Sequence, residues 1–288
     1  SFNKPLTMHC KSKSLKRNFI VLKYLFRLFD GQCIESVLMQ YKHGYSLCVS
    51  TQAGCKMGCS FCASTKNGCA RNLTASEILS EVYTAEKDTG VRVSNIVLMG
   101  IGEPLDNYDN VIKFIRLISH PEGKNISVRN ITLSTCGIVP GIYKLIEENL
   151  PITLSVSLHA PNDEKRSEIM PVNKKWGVKE VVRAAKDYYE KTGRRVSFEY
   201  ALVKGVNDSK SDADELSSLL KGLNCHINLI PVNEIEKSGH KAPDKEHVRR
   251  FTEYLSEKGL NVTVRRTLGA DINASCGQLR ASAIKEVE

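Results

Sequence analysis

Between residues 19 and 50 the apolar positions fall into three extended stretches, Phe19–Phe29, Ile34–Gln40 and Ser46–Ser50, interrupted by Asp30-Gly31 and His43-Gly44. Such dipeptides favour hairpin turns, so this region predicts a small antiparallel β extension. Further on, helical periods alternate with short β-branched runs. A helix is predicted over Ala75–Thr89, where Ile78, Leu79, Val82 and Ala85 share one face and Thr74 with Glu77 can close a capping box. Other helical patterns lie near Tyr108–Ile118, Val139–Glu148, Val178–Glu190, Ser211–Leu220 and Lys245–Lys258. In the third of these, Val178, Val181, Val182, Ala185, Tyr188 and Tyr189 form an unbroken apolar stripe. Strands are predicted between the helices at Asn95–Met99, Asn130–Ser134, Ile152–Ser157, Val196–Leu202, Cys225–Ile230 and Asn261–Arg265.

This alternation predicts an α/β fold with a parallel sheet and right-handed crossovers, doubly wound or curled into a barrel. No GxGxxG follows the first strand, which removes support for a dinucleotide-binding version. In either architecture chemistry gathers where strands end. The unusual residues fall there: a cysteine-rich segment after Ser46–Ser50, Gly102-Glu103-Pro104 after Met99, Ser134-Thr135-Cys136-Gly137, Ser157-Leu158-His159 and Pro231-Val232-Asn233.

Composition narrows the class. With 288 residues, 41% of them hydrophobic and 25% charged, the chain can bury a sizeable core. Its formal charge of +9 is modestly basic, with Lys-Lys and Arg-Arg pairs that suit phosphate contacts without identifying an RNA partner. No apolar stretch reaches the roughly 20 residues that span a bilayer. The best candidate, Phe19–Phe29, contains Lys23 and Arg27. The expectation is a soluble, cytoplasmic, monomeric protein with no signal peptide and no membrane partner. Ten cysteines are too sparse for a disulfide scaffold.

Cys55, Cys59 and Cys62 crowd into eight residues with the spacing C-x3-C-x2-C. Three thiolates on a short glycine-containing loop can wrap a small metal centre. Structural zinc wants four protein ligands, whereas an iron–sulfur cluster held by three cysteines leaves one iron open to substrate. Zinc with a distant fourth ligand is the alternative, though no second CxxC or HxxxH knuckle is present.

The cysteine spacing resembles the radical S-adenosylmethionine superfamily, and Gly100-Ile101-Gly102-Glu103-Pro104 resembles its GEP element. Leu47–Cys55, Leu133-Ser134-Thr135, Ser157–Pro161 with Arg166 and Met170-Pro171, Leu229–Asn233 and Gly269–Leu279 together resemble the RlmN/Cfr family of RNA adenine methyltransferases. The resemblance runs from about Val21 to Leu279. It implies a partial (β/α)6 radical-SAM barrel over residues 51–288, preceded by the β extension at 19–50 and an unassigned arm at 1–18. The family's N-terminal accessory domain is expected to be absent or truncated.

The same resemblance implies a [4Fe-4S] cluster on Cys55, Cys59 and Cys62, and two S-adenosylmethionine molecules per turnover. Gly102, Glu103, Ser134, Ser157, Leu158, His159 and Asn233 would contact the cofactor, with the Glu103 carboxylate taking the methionyl ammonium. Cys276 would accept a methyl group from one cofactor molecule. A deoxyadenosyl radical from the second would abstract hydrogen from that S-methyl group, and the carbon radical would add to the adenine. Glu35 would take the proton from the modified carbon, and Cys48 would release the adduct by forming a disulfide with Cys276. The implied substrates are an adenosine of 23S rRNA in the peptidyl-transferase centre and a tRNA adenosine beside the anticodon. An electron donor such as flavodoxin or ferredoxin is also implied.

Without the resemblance, Cys276 and Cys48 read as small buried hydrophobes and Glu35 as an outward strand residue. Cys10, Cys33, Cys69, Cys136 and Cys225 have no assignable family role and keep a structural reading. Two rival functions stand beside C2 methylation. One is Cfr-like C8 methylation of the same rRNA adenosine, disfavoured by Pro104, where Cfr-like members tend to carry Ala. The other is a non-catalytic, zinc-stabilised RNA-binding module, which leaves Cys276 and the GEP loop as coincidence.

Overall fold

The computed structural model describes residues 6–16, 19–232 and 239–265, with the side chains of 8–19 excepted. The described residues fall into two compact units, one of those up to residue 56 together with 62–133, the other of 57–61 and those from 134 to 265. No shift in composition marks the boundaries, which fall inside the cysteine-bearing loop and inside a strand.

In the first unit β1 (Leu6–Lys16), β2 (Phe19–Leu28), β3 (Cys33–Tyr41) and β4 (Gly44–Cys48) pair antiparallel in sequence order. Gly31 and Gly44, at φ 83° and 121°, supply the left-handed backbone that these tight reversals need. The chain then forms β5 (Gln52–Gly54), β6 (Cys69–Asn72), α1 (Ala75–Thr89), β7 (Val93–Leu98), α2 (Tyr108–Ser119) and β8 (Ile131–Thr135). β4 pairs parallel with β7, and β7 with Ile131–Leu133 of β8. The switch from antiparallel to parallel pairing at β4 is where the hairpin pattern of the sequence gives way to strand–helix alternation.

α1 forms over the predicted residues for the predicted reasons. The Thr74 hydroxyl accepts from the Glu77 N–H and the Glu77 carboxylate accepts from the Thr74 N–H, closing the capping box. Ile78, Val82 and Ala85 are fully buried. Tyr24 donates to Asp88 at 2.9 Å and Ser36 donates to Glu81, so α1 lies on the face of the sheet that carries Tyr24 and Ser36.

The second unit contains α3 (Val139–Glu147), β9 (Thr153–Ser157), α4 (Asp163–Ile169), α5 (Val178–Thr192), β10 (Val196–Leu202), α6 (Lys210–Leu219), β11 (Cys225–Pro231), α7 (Lys245–Glu257) and β12 (Val262–Val264). β9 to β12 pair parallel in sequence order. Their two faces differ sharply. Phe198 and Tyr200 of β10 point one way, and the Tyr200 ring stacks on Phe251 of α7 at 6.1 Å. On the other face the register aligns Ser157, Glu199, Asn228 and Thr263, with Ser155, Ser197 and His226 one step behind. The buried Glu199 carboxylate accepts from Ser155 and Asn228, each at 2.8 Å.

Three differences from the sequence expectation are instructive. Residues 6–16, expected as an unassigned arm, form β1 and pair along β2. The short pair β5 and β6 brackets the cysteine segment, too brief to give a periodic signal. α4, seven residues long, begins where the Asn162 side chain caps the Lys165 N–H at 3.0 Å.

Candidate active site

β4 runs into Val49–Thr51, and this exit is clamped against the segment that follows β7. Gly100 N–H donates to Val49 O at 3.0 Å, and Ile101 O accepts from Thr51 N–H at 2.8 Å and Gln52 N–H at 3.1 Å. A Cβ on Gly100 would lie 2.6 Å from Val49 O, and one on Gly102 would lie 2.7 Å from Gln52 Cβ. Gly102 also has φ +110°. Only glycine permits this approach, which explains the glycines at 100 and 102. Glu103 is buried; its N–H donates to Gln52 Oε1 at 2.9 Å, and its Oε1 accepts from Leu105 N–H at 3.0 Å.

Polar side chains that sequence reasoning missed complete this clamp. The buried Asn107 amide donates to Thr51 O at 2.8 Å and Leu73 O at 2.7 Å. Gln52 donates to Asp106 at 2.8 Å, and Asp106 pairs with Lys56 at 2.8 Å. Their only sequence signal is position, since each lies within a few residues of Cys55 or Glu103.

The cysteine segment leaves this clamp through the β5–β6 pair, and Cys55 N–H donates to Gly68 O at 2.9 Å and Ser64 O at 3.2 Å. The base of the loop is therefore pinched shut around Cys55. Arg71 of β6 forks onto Glu77 at 2.8 and 2.9 Å and onto Asp30 at 2.5 Å, fixing the return strand.

Cys48 and Glu35 come together on one face. Lys23 faces Val37 across β2 and β3, and Val37 faces Cys48 across β3 and β4. Glu35, two residues from Val37, projects to the same side, opposite to α1. Glu35 is buried, unlike the outward strand residue expected without the resemblance, and lies 3.8 Å from the fully buried Lys23 ammonium.

In the second unit the ends of β8 and β9 are gathered by Arg166 of α4, which is completely buried. Its guanidinium donates to the carbonyls of Leu158 (2.9 Å), Cys136 (2.6 Å), Ser157 (3.1 Å) and Trp176 (3.4 Å), and to the Asn173 amide oxygen (3.0 Å). Burial pushes its pKa down from the ordinary guanidinium value. His159 has φ +59° and is buried, and its Nδ1 accepts from Ala201 N–H at 2.8 Å, so the ring proton is on Nε2. Burial, reinforced by the Arg166 charge, pushes the imidazole down to about 3. His159 is a neutral polar group there, not an acid or base at neutral pH. Asn207 donates to His159 O at 2.6 Å and to Ala201 O at 2.7 Å, which holds the left-handed turn. The Phe61 ring meets His159 edge-on at 4.8 Å, while Ser60 hydrogen-bonds His240 at 2.9 Å. Cys59 packs with Met57 and Phe61 against a buried cluster of Cys136, Ala160, Ile169 and Met170. Ser134 and Ser157 are half-buried.

Among the described residues no three His, Cys, Asp or Glu side chains come within reach of one metal ion. The donor chemistry nevertheless suits an iron–sulfur cluster, because three thiols share one loop whose base is pinched by hydrogen bonds. Asn233 and Cys276 lie outside the described residues. The expected Cys48–Cys276 disulfide involves Cys276 and therefore lies outside the described residues. Cys136 and Cys225 are buried, and burial pushes the Cys225 thiol up to about 11, in keeping with a structural reading. No helix among the described residues is long and apolar enough to cross a membrane.

Residues 49–217 match the model of the radical SAM superfamily. The chain is 59% identical over 261 residues to "Probable dual-specificity RNA methyltransferase RlmN" of Lachnoclostridium phytofermentans, covering 91% of this chain and 73% of that protein. A protein of the same name from Clostridium botulinum (strain Alaska E43 / Type E3) is 58% identical over 266 residues, covering 92% and 77%. Among solved structures, a radical SAM methyltransferase from Sphaerobacter thermophilus superposes with a TM-score of 0.91 at 44% identity, covering 95% of this chain and 81% of that one. The α/β class expected from the alternation of strands and helices is thus the radical-SAM partial-barrel fold. By identity and coverage together, the chain belongs to the RlmN family of RNA methyltransferases within the radical SAM superfamily.

Proposed function

We propose that this protein is a radical S-adenosylmethionine methyltransferase that methylates C2 of an adenosine in 23S rRNA and in tRNA, working through an S-methylcysteine on Cys276. The observation that carries this reading is the 59% identity over 91% of the chain to a dual-specificity RNA methyltransferase. The clamp around Gly102 and Glu103 and the thiol placement on the β4 exit support it.

A [4Fe-4S] cluster with S-adenosylmethionine would supply one-electron cleavage of the cofactor, a source of a carbon radical able to take hydrogen from a methyl group. Cys55, Cys59 and Cys62 would hold the cluster, and loop closure would be coupled to its binding. Glu103 would take the methionyl ammonium beside Gly102, whose missing side chain lets this turn lie against Gln52. Ser134, Ser157, Leu158, His159 and Asn233 would complete the cofactor contacts. Within that set His159, neutral by burial, would offer its Nε2–H as a donor, and Arg166 fixes the carbonyls of Ser157 and Leu158. The Cys276 thiolate would accept the methyl group. Glu35 would remove the proton from the modified carbon, and Cys48, on the same sheet face, would act in releasing the RNA.

Nucleoside mass spectrometry of 23S rRNA and tRNA treated with the anaerobically reconstituted protein tests the reading. 2-Methyladenosine in both RNAs is the expected product; 8-methyladenosine, or no methylated adenosine, overturns it. Cys276→Ala should yield neither methylated protein nor product. Cys48→Ala should accumulate protein covalently joined to RNA, seen on denaturing gels as a ribonuclease-sensitive band. Loss of one charge-assisted contact in Glu103→Ala should weaken cofactor binding roughly ten- to a hundredfold with cluster content unchanged.

A further inference from the structure

Glu81 of α1 is fully buried and has no part in the roles assigned above. Its Oε2 accepts from the Ser36 hydroxyl and from Ser50 N–H at 3.0 Å, while its Oε1 is buried with no hydrogen-bond partner among the described residues. Ser50 carries the contact onward. Its hydroxyl donates to the Glu35 carbonyl at 2.7 Å and accepts from Ile101 N–H at 2.9 Å. One chain of hydrogen bonds therefore links a helix carboxyl, the exit of β4, the peptide of Glu35 and the residue before Gly102-Glu103.

A buried carboxyl with an orphaned oxygen is costly, and only the hydrogen bonds it accepts from Ser36 and Ser50 offset that cost. Packing alone gives no reason for it. Burial pushes the Glu81 carboxyl well above the usual carboxylate range, with Glu77 one turn earlier adding to the shift, which favours the neutral acid. In that form it still offers an acceptor to Ser50 N–H.

We propose that Glu81 is a positioning residue for the methyl-transfer reaction: through Ser50 it fixes the Ile101–Glu103 segment that receives S-adenosylmethionine, together with the backbone of Glu35. The inference rests on the function proposed above. A volume-matched Glu81→Met removes the acceptor and the orphaned oxygen together, whereas Glu81→Gln retains the acceptor. A purely structural side chain would let the two variants behave alike once folded.

Three quantities are measured on the full, reconstituted chain: the thermal midpoint, amide hydrogen exchange of a peptide spanning residues 99–103, and the dissociation constant for S-adenosylmethionine. Glu81→Met should speed exchange and weaken cofactor binding, each by about tenfold, the worth of one lost hydrogen bond, and should lower the thermal midpoint, because the buried Ser50 N–H and Ser36 hydroxyl lose their acceptor. Glu81→Gln should stay within about threefold of wild type in both. Ser50→Ala, which leaves Glu81 in place and removes only the relaying hydroxyl, should reproduce the faster exchange and keeps the test decisive if Glu81→Met does not fold. Unchanged exchange and affinity in Glu81→Met, unchanged exchange in Ser50→Ala, or a Glu81→Gln as impaired as Glu81→Met, overturns the role of Glu81 alone. Wild-type protein that binds no S-adenosylmethionine overturns the proposed function as well.

Discussion

At the end of β7 the chain is held by its own backbone, with Gly100 and Gly102 lying so close to Val49 and Gln52 that no Cβ fits; at the end of β9 it is held by a single side chain, Arg166, which draws four carbonyls and an amide oxygen onto one buried guanidinium. The first device rests on close backbone approach, with the side chains of Ser50, Gln52 and Asn107 adding hydrogen bonds to Ile101, Glu103 and Thr51. The second spends a charged residue and satisfies carbonyls that strand termini otherwise leave unpaired. Close backbone approach fails when any atom is added, whereas a gathered set of carbonyls fails when the gatherer is removed. The two regions should thus break under opposite kinds of substitution.

The largest effect expected from this contrast is at Arg166. Arg166→Met leaves the carbonyls of Cys136, Ser157 and Leu158 buried without their donor and should cost about 3–5 kcal/mol, read from the denaturant midpoint at constant slope. Arg166→Lys should recover only part of this, because an ammonium lacks the planar fork that reaches several acceptors. A wild-type midpoint for Arg166→Met would remove the basis of the comparison.

Addition should be nearly as damaging on the other side. Gly102→Ala must place a Cβ 2.7 Å from Gln52 Cβ at φ +110°, so strain and overlap together should cost about 2–3 kcal/mol. Gly193 provides the control: it also has positive φ, at 64°, but has nothing within 4 Å. Gly193→Ala should cost only about 1 kcal/mol. Equal losses at the two glycines would show that conformation, and not close approach, dominates at Gly102.

His159 sharpens the picture of the β9 end through pH. Its folded-state value of about 3 lies below the ordinary histidine value near 6.5, so the unfolded chain binds the extra proton first. The stabilisation is fully present above about pH 6.5 and is lost as pH falls toward 3, at about 1.4 kcal/mol per pH unit. His159→Asn keeps an acceptor at the δ1 position and tolerates the left-handed backbone, and should remove that slope between pH 4 and 6. Urea unfolding at several pH values measures it, and an unaltered slope would mean that His159 protonates freely in the folded protein.

The smallest effect is expected at Lys56, next to Cys55. Its pairing with Asp106 is solvent-exposed on the lysine side, so Lys56→Ala should change stability by less than about 0.5 kcal/mol. A larger loss would mean that the β7 end relies on side-chain pairing more than its backbone contacts suggest.

How much of this was legible beforehand follows from the kind of signal each element leaves. α1 and β10 form over the predicted residues because each carries a full period and clear ends. β1 was not assigned, because its lysines and serines hide the alternation and only pairing with β2 makes it a strand. α4 is too short for a period, and with it the burial of Arg166 was invisible, since arginine is ordinarily a surface residue. In the candidate site, the cysteines, Gly102 and Glu103 announced themselves through spacing. Gln52, Asn107 and Glu81 did not, because a polar residue signals nothing until a neighbour distant in sequence gives it a partner.

By itself the sequence determined the strand–helix alternation, the three-cysteine segment as a chemical unit, and the family, because all three are carried by residue type and local spacing. Only the tertiary structure decided that Cys48 and Glu35 share a sheet face beside Lys23, that Arg166 is an interior gatherer of carbonyls, and that His159 is neutral. Those properties depend on register, burial and distance between residues far apart in the chain. A local pattern can specify a strand, but which side chains stand together on its face is fixed only when its neighbours pair with it.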